Sequence, residues 1–295
     1  MSVVVIINPV AGGSRRGLPA DQRVRLVREA LDRHHADGRV ELTRAAGHGS
    51  ELARQAVAEG CALVVAWGGD GTINEVASQL VGTGTGLGIV RAGSGNGLAR
   101  ELGIPARHEE ALAVALGGRD RRIDVGEIEG RPFLNVAGVG FDAAMAAEFN
   151  ELGGERRGSI RYTVRALQAA VAYVAGRYTI EVDDRRLEVD ALVVAIANLP
   201  QYGSNAVIAP HAVPDDGLLD VVVVQDRGAL GRFGLGLRLL DRTIDKASGV
   251  TIVRGAHVRI AGAGPLPFHV DGEPCLGSAS VEARIHESAL RVKVP

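Results

Sequence analysis

Val3–Ile7 is an unbroken β-branched run, and Arg23–Leu31 after it spaces apolar and charged residues as one face of a helix does. The pattern then repeats. Arg39–Thr43 predicts a strand and Ser50–Ala58 a helix with Ser50 as its N-cap. Ala62–Ala66 predicts a buried strand, Ile73–Leu80 a helix, Leu87–Val90 another buried strand, and Glu109–Leu116 a further helix. Repeated β-α units with continuous apolar strands predict a mostly parallel sheet with helices on both faces. Ligands of such sheets bind beyond the C-terminal ends of the strands.

The pattern changes after Asp124. Glu127–Ile128 and Phe133–Val136 predict a hairpin turning at Glu129-Gly130. One helical stretch, Tyr162–Val174, intervenes. Strands are then expected at Tyr178–Val182, Leu187–Ile196, Leu219–Val224, Val250–Val253, Val258–Ile260, Val281–Ile285 and Leu290–Val294, separated by Gly, Pro and Asp turns. The fold class expected is an α/β N-terminal domain over residues 1–126 and a mainly antiparallel β domain over 127–295.

Composition narrows the functions. The chain has 295 residues, 46% hydrophobic and 23% charged, which is enough for a sizeable core in two domains. A net charge of −2 excludes a strongly basic nucleic-acid binder. Lysine occurs only at Lys246 and Lys293, so no Walker-type lysine is available for a phosphate. Cys61 and Cys275 lack metal spacing and suit a reducing cytoplasm, and the eight histidines form no metal pattern. Met1–Ile7 has no basic leader, and no run of 18 apolar residues is present. Contact with lipid is therefore expected to be peripheral. The stretch Ile160–Val174, with Arg156, Arg157, Arg161 and Arg165, is one candidate for touching an anionic bilayer, and a core-packing helix is the plainer reading.

Candidate chemistry lies in glycine-rich loops. Trp67-Gly68-Gly69-Asp70-Gly71-Thr72-Ile73-Asn74-Glu75 follows a buried strand and opens a helix. Its glycines admit a ligand close to the backbone, and the helix start offers N–H groups and positive dipole to a phosphate. Asp70 suits that place if a divalent cation lies between; as a plain turn, it is a helix cap. Asn8-Pro9-Val10-Ala11-Gly12-Gly13 and Ala92-Gly93-Ser94-Gly95-Asn96-Gly97 occupy the same position after other strands. Arg15 and Arg16 either meet phosphates or are solvated. Val270-Asp271-Gly272-Glu273 reads as one strand face with two carboxylates, or as a turn with solvated acids. A P-loop and a Rossmann site both fail on spacing.

Asn8-Pro9, Gly68 through Thr72 and Gly93-Ser94-Gly95-Asn96, in this order, resemble the diacylglycerol kinase catalytic-domain superfamily of soluble lipid kinases. Asp124-Val125-Gly126, Asn198 through Gly203, Ile208-Ala209-Pro210, Asp216 through Asp220 and Asp271-Gly272-Glu273 extend the resemblance over nearly the whole chain. It implies an ATP-dependent kinase acting on a lipid alcohol, with its active site in the cleft between two domains, cytoplasmic and transiently at the membrane surface. It implies nucleotide contacts at Asn8, Pro9, Val10, Ala11, Gly12, Thr43, Gly68, Gly69, Asp70, Gly71, Thr72, Glu75 and Ser94. Asp70, Asp124 and Glu273 are implied to hold catalytic Mg2+, with Asp271 the general base. A second metal is implied at Val213, Asp216 and Leu218. Asn96-Gly97 replaces the Asn-Asp of diacylglycerol-kinase-like members and stands nearer the sphingosine and ceramide kinases. An NAD kinase, which shares Gly-Gly-Asp-Gly-Thr, and a catalytically silent nucleotide- or lipid-binding relative are the alternatives. A homodimer is carried as an open expectation.

Overall fold

The computed structural model describes residues 2–12, 18–93, 95–151, 173–203 and 206–295. Two compact units make up the chain: Met1–Val125 with Glu287–Pro295, and Gly126–His286.

In the first unit, β1 (Ser2–Ile7), β2 (Asp37–Leu42), β3 (Leu63–Gly68) and β4 (Gly86–Arg91) form a parallel sheet in the order β4-β3-β1-β2. β3 is buried at every position, as its run of apolar residues requires, whereas β2 is an edge strand carrying Asp37, Arg39 and Glu41. The helices are α1 (Ala20–Arg33), α2 (His48–Ala58), α3 (Asp70–Ser78), α4 (Gly97–Glu101) and α5 (His108–Gly117). Register decides where the loops emerge. Ile7 pairs with both Leu42 and Trp67, and Trp67 with Val90, so all four strands end level. The loops that follow them open side by side at the carboxyl edge, where the chain also switches from β2 to β3 across β1.

The second unit is antiparallel, as the short strands and turns predict. β5 (Arg119–Ile128) leads into β6 (Arg131–Phe133), β7 (Val136–Gly140) and α6 (Phe141–Glu151). Then come β8 (Gly176–Val182), β9 (Arg185–Ala197), β10 (Gln201–Gly203), β11 (Ala206–Val207), β12 (Leu219–Gln225) and α7 (Gly228–Leu240). β13 (Val250–Gly255), β14 (His257–Ala261), β15 (Pro267–Val270), β16 (Glu273–Leu276) and β17 (Ser280–Val294) complete it. β9 is the spine, pairing β8 along one half and β7 and β12 along the other. Both faces are covered. Val194, Ile196, Val221 and Val223 enter one apolar core, and their neighbours Val193, Ala195, Val222 and Val224 enter another.

Several expectations change. α2 begins at His48 behind a left-handed Gly47, so Ser50 is inside the helix and its hydroxyl donates to the Glu75 carbonyl at 3.1 Å. Val281–Ile285 and Leu290–Val294 are one strand, β17, which passes Ser288 at φ 51°. Its end returns to the first unit, where Val292 pairs with Leu87, so the second unit stops at His286. The Glu129-Gly130 turn forms as predicted, with φ of 49° and 74° between paired Ile128 and Arg131. Tyr162–Val174 and its flanking arginines fall, apart from Tyr173 and Val174, outside the described residues, as do Arg15, Arg16 and Ser94. Among the described residues no helix is long and apolar enough to cross a membrane.

Candidate active site

The four level loops of the first unit surround a cavity of ≈ 500 Å³. Asn8, Pro9, Val10, Ala11, Gly12, Thr43, Gly69, Gly71, Thr72 and Glu75 line it, together with Arg44, Ala45, Ala46 and Gly93. α3 starts there without a side-chain cap, which leaves its first N–H groups and its positive dipole end at the cavity. This is the arrangement that binds a phosphate.

Side chains hold each loop in place. Asn8 donates from Nδ2 to Thr72 Oγ1 at 2.9 Å and accepts the Val10 amide at 3.1 Å. Glu75 accepts the amides of Gly47 and Gly49 at 2.9 and 3.0 Å, one on each oxygen. It thereby ties the loop after β2 to α3, and a Cβ at Gly49 would lie 2.6 Å from its Oε2. Asn96, left-handed at φ 54°, accepts the Gly93 amide and donates to the Gly93 carbonyl at 2.9 and 2.6 Å. Gly93 lies so close to Gly69 that a Cβ there would come within 2.8 Å of the Gly69 Cα.

Asp70 and Gly68 do not line the cavity. Asp70 turns to the loop after β4, accepting the amides of Asn96 and Gly97 at 2.8 and 2.7 Å. Gly68 backs onto the side chain of Thr72, which a Cβ would strike. Trp67 is fully buried beside the loop, its ring 5.1 Å from that of His108.

Arg23 is a residue that sequence reasoning missed. Its guanidinium donates to the carbonyls of Leu18, Asn8 and Ala11 at 2.8, 2.8 and 2.7 Å, and it lies over the Trp67 ring. Only 2% of it is exposed, and burial pulls its pKa down. In the sequence it is one more charged residue of an amphipathic helix.

In the second unit Asp271 and Gly272 form the two-residue turn between β15 and β16, with φ of 47° and 88° between paired Val270 and Glu273. That is a type I′ turn, so Asp271 and Glu273 do not share a strand face. The Asp271 carboxylate, on a half-buried residue, is held by backbone amides. Oδ1 accepts the amides of Asn135 and Val136 at 2.9 and 3.0 Å, and Oδ2 that of Leu134 at 2.7 Å. Burial pushes its carboxyl above the ordinary range, against the pull of those three amides. A carboxylate has about four acceptor sites, so one remains for a further donor. Glu273 is exposed at the start of β16.

The expected metal sites are less developed. Among the described residues no three His, Cys, Asp or Glu side chains converge to hold a metal ion. Asp124 is buried in the first unit and accepts the Ser288 amide at 2.6 Å. Asp216 accepts the Leu218 amide and is paired with Arg254, whose guanidinium also reaches the buried Asp220 at 3.4 Å, and Val213 is exposed. That loop therefore receives positive charge from Arg254 of its own chain.

The model of the diacylglycerol kinase catalytic domain matches residues 2–128. That of the YegS C-terminal NAD kinase beta sandwich-like domain matches residues 135–294. A probable lipid kinase YegS-like protein of Chromohalobacter salexigens is 33% identical over 256 residues, 84% of this chain and 82% of its own. One from Pseudomonas aeruginosa is 34% identical over 278 residues, covering 91% and 89%. The crystal structure of a diacylglycerol kinase from Bacillus anthracis superposes with a TM-score of 0.77 at 18% identity, over 100% of this chain and 97% of the other, a likeness of fold.

Proposed function

Since the chain belongs to the diacylglycerol kinase catalytic-domain family, we propose that it is an ATP-dependent lipid kinase, moving the γ-phosphoryl group onto a hydroxyl of a lipid alcohol. The observation that carries this reading is the cavity at the level strand ends, into which α3 opens its N-terminus. ATP phosphates are the ligand that such a cradle of amides favours. The Gly69–Thr72 turn at the start of α3 supplies its amides and Asn8 through Gly12 and Thr43 line it, while Glu75, Asn96 and Arg23 keep the loops in place.

Asp271 is the general base of this reading. Its carboxylate is fixed by three amides and keeps one acceptor site, and burial raises its pKa, the direction that makes it a better proton acceptor. In a loose phosphoryl-transfer transition state the nucleophile loses its proton late, so a modest base at a fixed position suffices. Mg2+ accompanies ATP in the proposal and would neutralise charge on the phosphates. Asp70 and Asp124 are the carboxylates of the first unit assigned to it, Asp70 oriented by the amides of Asn96 and Gly97 and Asp124 by that of Ser288. Glu273 is the acid of the second unit assigned to the same task. Diacylglycerol and the sphingoid lipids are the acceptor classes, and transient contact with a membrane surface follows from their insolubility. NAD is the competing acceptor, favoured by the NAD kinase-like description of the second half.

Asp271→Asn tests the assignment. The variant is expected to keep the KM for ATP within about twofold and to lose about 10²–10⁴ in kcat. Undiminished kcat would remove Asp271 from the role.

A further inference from the structure

Asp142, His269 and Tyr202 form a polar cluster in the second unit for which the proposed chemistry has no use. Asp142 is in the first turn of α6, His269 on β15 and Tyr202 on β10. Asp142 Oδ2 accepts the Tyr202 hydroxyl at 2.6 Å and faces His269 Nε2 at 3.0 Å, while Oδ1 accepts the Ala143 amide at 2.8 Å. The Asp142 and His269 side chains are each 7% exposed. Gly138 of β7 makes room for the pair, since a Cβ there would collide with Asp142 and lie 2.9 Å from His269 Nε2. Burial, and then the charge of Asp142, holds the Tyr202 phenol well above its ordinary pKa, so it stays a donor.

The second imidazole nitrogen connects the cluster to the turn. His269 Nδ1 lies 3.3 Å from the Gly272 amide nitrogen, and an amide N–H can only donate. In the neutral ring Nδ1 is therefore the acceptor and Nε2 carries the proton, which the Asp142 carboxylate accepts. Both ends of the ring demand the same tautomer. Gly272 is the second residue of the turn whose first is Asp271, and both have positive φ. Asp-Gly is a preferred pair for such a turn, so the contacts around it set where the turn points rather than whether it forms. Three amides grip the Asp271 carboxylate from one side, and His269 grips the next amide of the turn from the other.

We propose that His269 is a positioning residue for Asp271: in the tautomer set by Asp142, which Tyr202 orients in turn, it fixes the Gly272 amide and thereby the angle at which the base meets the acceptor hydroxyl. The inference rests on the reading of Asp271 as the base. Neither Asp142 nor His269 is visible as a pair in the sequence, where 127 positions separate them.

The test is single-turnover transfer from ATP to vesicles containing diacylglycerol, sphingosine, ceramide and phosphatidylglycerol. Asp142→Asn, His269→Ala and Tyr202→Phe are compared, each alone and combined with Asp271→Asn. Asp142→Asn is nearly isosteric, yet its amide can donate to Nε2, which moves the ring proton to Nδ1 and sets donor against donor at Gly272. Asp142→Asn and His269→Ala should each lower the rate by about 10–100-fold, as a small misplacement of a reacting group does, with the KM for ATP within about twofold. On the Asp271→Asn background each should cost less than about twofold more, because the effect runs through Asp271. Nitrogen NMR should find the proton on Nε2 of His269 in the native chain and on Nδ1 in Asp142→Asn. Tyr202→Phe, which removes one hydroxyl, should show the same pattern at about threefold and serves if His269→Ala does not fold. Unchanged rates in Asp142→Asn and Tyr202→Phe would overturn the inference, as would equal losses with and without Asp271. An Asp271→Asn enzyme with full turnover would instead overturn the base assignment on which it rests.

Discussion

Arg23 joins the carbonyls of Asn8, Ala11 and Leu18 to α1, and all three would lose this donor together if it were replaced. Arg23→Met keeps the apolar stem over Trp67 but removes the guanidinium from all three carbonyls, leaving that of Asn8 with the Ala11 amide at 3.3 Å. It is expected to lower stability by about 2–4 kcal/mol, measured by urea unfolding, and to raise the KM for ATP by about tenfold. A change in neither would mean that the loop after β1 holds itself. Residues like this escape sequence reading for a physical reason: burial of a charge is decided by what folds over it. Glu75 was legible at the end of the Trp67–Glu75 string, but the Gly47 and Gly49 amides that occupy its oxygens were not. Asp271 shows the same division. Asp-Gly signals a turn, and a turn formed, yet nothing local to that dipeptide foretells three amides from residues 134–136.

The helices α1, α2, α3 and α5 of the first unit were legible from periodicity, and β1, β3 and β4 from their unbroken apolar runs, whereas the short α4 after β4 was not. Level strand ends were not, since register is a property of pairs and not of single strands. The loop after β4 depends on that register. Gly93 reaches Gly69 backbone to backbone, and Asn96 fixes it on both its amide and its carbonyl. Gly93→Ala should force the loops after β3 and β4 apart and raise the KM for ATP about tenfold or more, while unfolding in urea shifts little. An unaltered KM would show that the contact is incidental. The misread cap at Ser50 has a local cause: Gly47 takes the left-handed turn that starts α2 earlier, and the Ser50 hydroxyl is drawn to the Glu75 carbonyl. In β17, the bend at Ser288 interrupts the apolar pattern without interrupting the strand, which is why one element reads as two.

At the scale of the chain, the pattern changes near Asp124, the compact units divide between Val125 and Gly126, and the two family models end at residue 128 and begin at residue 135. The return of Glu287–Pro295 to the first unit was not legible. It depends on Val292 finding β4 and on Arg291 donating to the carbonyls of Ala62 and Gly84 at 2.9 and 2.8 Å. Acceptor identity is the remaining consequence of the whole molecule, because the proposed phosphate cradle of the first unit does not by itself distinguish a lipid from NAD. The most direct measurement is transfer of label from γ-labelled ATP, with magnesium, to diacylglycerol, sphingosine, ceramide, phosphatidylglycerol and NAD offered side by side. The account predicts label in a lipid, lost on chelation and lost with Asp271→Asn. Label in NAD alone, or in none of the five, would contradict it.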